Sequence, residues 1–186
     1  VLRSAILATE DADFNQHFGL SMSRILVTLG KDLLLGERAG ASTLTQQLAR
    51  NLFPIGFEKT VERKIKEALL ALQIEKRYTK REIFTLYANQ IYFGHGAYGV
   101  EAAAHLYFDK SARELTTEEA ATVAAIIQAP ERLSPFVDPR RALGRRNYVI
   151  GRMATEQMIS AADARDAAAR PLVVKGQPSP ERSMAP

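Results

Sequence analysis

Cysteine is absent from the 186 residues, which excludes disulfides and a thiol nucleophile. No apolar run approaches the roughly 18 residues of a membrane-crossing helix, and the opening does not read as a signal peptide. Strand-like alternation and internal repeats are also missing, so the periodicity that remains is helical. The basic residues are not interleaved with aromatic stacking platforms and no nucleic-acid motif occurs, so nucleic acid is not an expected partner. The formal net charge of +4 still points to something anionic, an acidic membrane surface or a phosphate-bearing substrate. An apolar share of 46% over this length suits one domain, or one core with a smaller lobe. The first residues read as the middle of a helix, so an upstream part is expected.

Chemistry concentrates in residues 8–19, where Glu10 and Asp11 precede Phe14, His17 and Gly19. A Glu that ends the apolar run Ile6-Leu7-Ala8 is partly desolvated, which suits general-base work, and His17 can orient a neighbouring carboxylate. Gly19 permits a turn that a Cβ would resist. The alternative is a solvated helix end beside a structural histidine. Asp11, Asp13 and Asn15 imitate a calcium loop, but Gln16 stands where Gly is needed and Met22 where Glu is needed.

Ser21 is placed to cap a helix to about Leu35, stopped by Gly36, whose Ile25, Leu26, Leu29, Leu33 and Leu34 are either core or oil-facing. Arg24, Lys31 and Arg38 around it suit an anionic lipid interface. A small-residue turn from Gly40 then runs into a helix that ends before Pro54, and Thr43 and Gln46 have capping-box spacing. Its start is a natural anion site, with Arg50 adding charge, or else a well-capped structural helix. It is not a nucleotide loop, because the Lys that should precede the hydroxyl residue is missing.

A helix from about Thr60 to Lys76 is expected to bury Val61, Ile65, Ala68, Leu69 and Leu72. Arg63 and Lys64 lie four and three residues before Glu67, so the three share another face. Leu70 and Ile74 continue that face as apolar, which puts Glu67 where a solvated surface becomes enclosed. Further helices are expected from Thr79-x-x-Glu82 to about Asn89, over 100–107 and 117–128, from Asp138-Pro139 to about Met158, and from Ser160 to Ala169. The glycine-rich aromatic turn 92–99 should be packed, Ala129-Pro130 should stop a helix, and a linker should begin near Lys175.

Together these stretches resemble the peptidoglycan glycosyltransferase domain, glycosyltransferase family 51, of class A penicillin-binding proteins and monofunctional transglycosylases. The first motif is complete as Glu10, Asp11, Phe14, His17 and Gly19, and the second runs unbroken from Gly40 to Gln47. The third is Arg63, Lys64 and Glu67, the fourth shows in Lys80, Ile83, Tyr87 and Asn89, and a fifth region looks like residues 132–135. Arg50 stands where Lys is usual and Phe84 where Leu is usual.

The resemblance implies a mainly α, lysozyme-like fold over residues 1–170, with a large lobe and a small membrane-proximal jaw at about 20–40; residues 171–186 would be a linker or tail. It implies polymerisation of lipid II into glycan strands, with inversion at the anomeric carbon and release of undecaprenyl diphosphate. Glu10 would be the base. Arg50, Lys59, Arg63, Lys64 and Lys66 would stabilise the departing diphosphate. Glu67, the second catalytic carboxylate, would organise those cations or a Mg²⁺ ion, although no cofactor is required by the sequence. Asp11, His17, Ser42, Thr43, Gln46 and Gln47 would contribute to substrate binding. The implied partners are lipid II, the growing glycan chain and the outer face of the bacterial cytoplasmic membrane, with a transmembrane anchor outside this chain. Two other readings are a lysozyme-like or lytic enzyme and a silent lipid- or glycan-binding module. The basic cluster opposes the first and the two glutamates oppose the second. Ser-x-x-Lys and Lys-Thr-Gly are absent, so β-lactam binding is not expected.

Overall fold

The structure is a computed structural model, described for residues 1–22, 42–54 and 60–175. Among the described residues it is helical, with α1 (Leu2–Glu10), α2 (Leu44–Leu52), α3 (Val61–Arg77), α4 (Lys80–Gln90), α5 (Val100–Phe108), α6 (Thr117–Ile126), α7 (Pro130–Leu133), α8 (Pro139–Thr155) and α9 (Ala161–Ala169). The one β feature among them is an isolated bridge between Tyr92 and Tyr98. The expected jaw helix falls largely on residues 23–41, outside the described residues, as does Lys59.

The chain divides into two bodies, Val1–Ala12 with Ala88–Pro186, and Asp13–Tyr87. In the first, α6 is the centre. Every residue from Ala120 to Ile126 is buried, so the helix is enclosed on all sides, and its alanines let α1 and α8 approach closely. Glu119 caps its start by accepting from the Thr116 amide at 2.9 Å, and Lys110 grips the Glu119 carboxylate at 2.8 Å. Buried Arg146 of α8 donates to the carbonyls of Ala168 and Arg170 at 2.9 and 2.8 Å, supplying acceptors at the end of α9 with the donors their helix lacks.

The turn 92–99 is packed, as expected. Gly99 has φ +84°, and a Cβ there would lie 3.0 Å from the Asn89 carbonyl oxygen. Tyr107 donates to Phe93 O at 2.7 Å, and His95 Nε2 meets buried Ser134 Oγ at 2.8 Å.

In the second body α2 packs on α3, and here one expectation is overturned. The residues expected to form the buried face of α3 include Val61, 77% exposed, and Ile65 and Leu69, each 55% exposed; Ala68 and Leu72 are only half-buried. The buried face is instead Glu67, Ala71, Ile74 and Glu75. Two carboxylates can occupy it because each is met by cations on its own or the next helix, while Ala71 between them leaves room for a close neighbour. Two helices also end earlier than expected, α6 at Ile126 and α8 at Thr155, and Pro130 opens a short helix as well as following the end of one.

Candidate active site

Glu10 is the last residue of α1, half-buried, and the following Asp11 is fully buried. The apolar run before Glu10 is core, with Ala5, Ile6, Leu7 and Ala8 all buried, so the helix that carries the carboxylate is held firmly. Arg152 of α8 donates to the Ala8 carbonyl at 3.3 Å. A guanidinium at a helix C-terminus satisfies an acceptor left over there and complements the dipole. Arg152 also pairs with Glu156, so its position is fixed from both sides. Sequence reasoning had no means of finding Arg152, because its partner is 144 residues away.

The second body holds the cation cluster. Glu67 has no exposed side-chain surface, and Arg63 and Lys64 neutralise it with one oxygen each, Arg63 to Oε1 at 2.8 Å and Lys64 to Oε2 at 2.7 Å. Lys64 also donates to Ser42 Oγ at 3.0 Å, which brings the second motif onto the third. Arg63 is nearly buried and, among the described residues, its Nε has no hydrogen-bond partner, whereas the Lys64 side chain is 45% exposed. The arrangement is therefore a buried carboxylate holding two donors at a surface, with positive charge in excess. Lys66 does not join it; exposed, it pairs with Glu62 at 2.6 Å. Arg50 is exposed in the last turn of α2.

The second motif forms the capping box read from its spacing. Thr43 Oγ1 accepts from Gln46 N at 3.2 Å, and Gln46 Oε1 accepts from Thr43 N at 2.9 Å. Thr43 is buried and its hydroxyl also donates to Gly19 O at 2.7 Å, so these two side chains hold the helix start. Gln47 Oε1 accepts from the buried Tyr87 hydroxyl at 3.2 Å. In the first motif Phe14 is buried, its ring lies edge-on to His17, and Lys80 Nζ sits 4.4 Å from its centroid.

The other buried carboxylate of this body, Glu75, is absent from the sequence reading. It accepts from Thr45 Oγ1 at 2.6 Å and from Lys80 Nζ at 2.7 Å. Gly19, at φ +79°, packs so tightly beside it that a Cβ would lie 3.1 Å from Glu75 Cγ. The neighbouring Lys and Arg make Glu75 look like part of a solvated charged stretch, and Thr45, its partner, is 30 residues distant.

Residues 1–154 match the family described as Transglycosylase. Penicillin-binding protein 1A of Aquifex aeolicus is 49% identical over 177 residues, covering 92% of this chain and 24% of that protein. Penicillin-binding protein 1F of Bacillus subtilis is 41% identical over 172 residues, again 92% of this chain and 24% of the relative. A crystal structure of penicillin-binding protein 1A from Haemophilus influenzae aligns with 70% of this chain and 17% of its own, at 31% identity and a TM-score of 0.48. The chain thus spans about a quarter of the length of the curated relatives it matches. With that family match covering residues 1–154, the chain belongs to the transglycosylase family.

Proposed function

We propose that this domain extends glycan strands from lipid II, with Glu10 as the base that takes the acceptor hydroxyl proton and undecaprenyl diphosphate as the leaving group. The observation that carries this reading is the Glu67 cluster. A leaving diphosphate gains negative charge as its bond to the sugar breaks, and donors fixed in advance at a surface stabilise that charge without reorganising. A cleaved glycan would have no such group to neutralise, which is why the transferase is favoured over a lytic enzyme. A diphosphate also leaves without protonation more readily than a sugar alkoxide, so Glu67 serves as organiser of cations and not as an acid. With both Glu67 oxygens engaged, a Mg²⁺ ion would be held through diphosphate oxygens and water. The membrane surface is the proposed setting, and the exposed Val61, Ile65 and Leu69 on α3 support it.

The test offers the protein lipid II and, separately, polymerised glycan. Consumption of lipid II with growth of glycan is expected, and faster cleavage of glycan would make the enzyme lytic. Glu10→Gln is nearly isosteric but cannot accept a proton, so polymerisation should fall by at least about 10²–10⁴ with the helical circular dichroism unchanged. Near-parental turnover by that folded variant would remove Glu10 from the role of base.

A further inference from the structure

We propose that Glu75 is a positioning residue for the cation cluster, acting through Thr45 and the start of α2. This rests on the glycosyltransferase reading above. The buried face of α3 carries carboxylates at both ends, Glu67 and Glu75, with Ala71 between them. Each reaches the start of α2 through one hydroxyl residue. Glu67 does so by way of Lys64, which donates to Ser42 Oγ at 3.0 Å. Glu75 does so directly, accepting from buried Thr45 Oγ1 at 2.6 Å.

The approach to α2 and its first turn are therefore pinned to α3 at one point each, Ser42 just before the cap and Thr45 just inside the helix. Only the Ser42 point touches a donor of the cluster. The Thr45 point sets where Ser42 stands, and hence where Lys64 is drawn between Ser42 and Glu67. Lys80 completes the device by neutralising Glu75 at 2.7 Å, so a buried charge can anchor the helix without a bare desolvation penalty. Gly19 closes the space around Glu75, and its own carbonyl accepts from Thr43, the capping residue of the same helix start. A donor displaced by a fraction of an ångström loses much of its value to a transition state, so this anchor should act on turnover.

The test is a double-mutant cycle on lipid II polymerisation with Thr45→Val and Ser42→Ala. Valine keeps the branched shape and removes only the hydroxyl. Thr45→Val should lower kcat by roughly tenfold or more, and Thr45→Ser, which restores the hydroxyl, should recover most of the loss. In the Ser42→Ala background Thr45→Val should cost much less, because the route to Lys64 is already cut. A merely structural hydroxyl predicts the opposite, namely the same factor in both backgrounds, tracking the loss of melting temperature. Should Thr45→Val fail to fold, Thr45→Ala, which also removes the hydroxyl that Glu75 accepts from, enters the same cycle with the same expectation. Equal factors in the two backgrounds, or a Ser42→Ala protein with parental kcat, overturn the proposal. A parent protein that leaves lipid II untouched overturns instead the reading on which it rests.

Discussion

Arg63 and Lys64 each occupy one oxygen of a carboxylate that has no exposed surface, and this decides what Glu67 does. Burial makes that carboxylate costly to leave unpaired, which favours keeping cations on it in the resting protein. On the proposed transfer from lipid II, Arg63→Ala should lower kcat by about 10²-fold, with a smaller change in KM, because its donors would matter most as the diphosphate charge grows. Glu67→Gln should also lower kcat, since the cations lose what positions them, but the pH of maximal rate should stay where the parent has it. A pH–rate profile of each variant decides the matter, and an optimum displaced by Glu67→Gln would mean that Glu67 exchanges a proton during turnover. The Arg63, Lys64 and Glu67 group was legible because residues three and four apart on a helix meet by geometry alone. Glu75 and Thr45 were not, because only tertiary packing brings them together.

Caps were the most legible part of the elements. Thr43, Thr60, Asp138 and Ser160 all accept from a backbone N–H at the helix starts their spacing marks. Ends were less so: beyond α8 the chain turns at Gln157 with φ +55°, a conformation that Gly or Asn usually announces. The orientation of α3 was misread for a different reason. Val61, Ile65 and Leu69 do recur at helical spacing, but periodicity shows only that a face is apolar, not that protein covers it. On the membrane-surface proposal this row is a contact with lipid, and basic residues elsewhere in the chain would meet the headgroups. Ile65→Ser combined with Leu69→Ser should weaken binding to anionic liposomes several-fold while changing stability little, since exposed substitutions usually fall within about 0.5 kcal/mol each. Co-sedimentation beside a thermal melt tests it. A large drop in melting temperature with unchanged liposome binding would show that the row packs against protein.

At the scale of the molecule, helical content and the order of elements followed from sequence, whereas the partition did not: α1 belongs with residues 88–175 through α6 and α8, more than a hundred positions away. That same body carries groups that make stability depend on pH. Burial alone would raise the carboxyls of Glu118 and Glu119, but hydrogen bonds outweigh it and hold both below the usual range. Glu118 is bonded to Arg170 at 3.0 Å, and Glu119 to Lys110 at 2.8 Å and the Thr116 amide at 2.9 Å. A carboxyl depressed on folding contributes stability that is present above its unfolded value, near 4.5, and lost as pH falls through the lower folded one. Tyr107 acts at the other limit: burial pushes its phenol up to about 12 from 10, partly offset by Ser134. A phenol raised on folding contributes fully below 10 and loses that contribution as pH rises from 10 to about 12. The melting temperature should therefore fall on both sides of a plateau. Glu119→Gln should flatten the acid side. Tyr107→Phe should lower the plateau, by about 1 kcal/mol for the lost bond to Phe93 O, and flatten the alkaline side. Phenolate ultraviolet absorbance followed beside the melt ties any alkaline loss to the tyrosines. If Tyr107→Phe loses stability between pH 10 and 12 as steeply as the parent, the alkaline limit does not belong to the buried phenol.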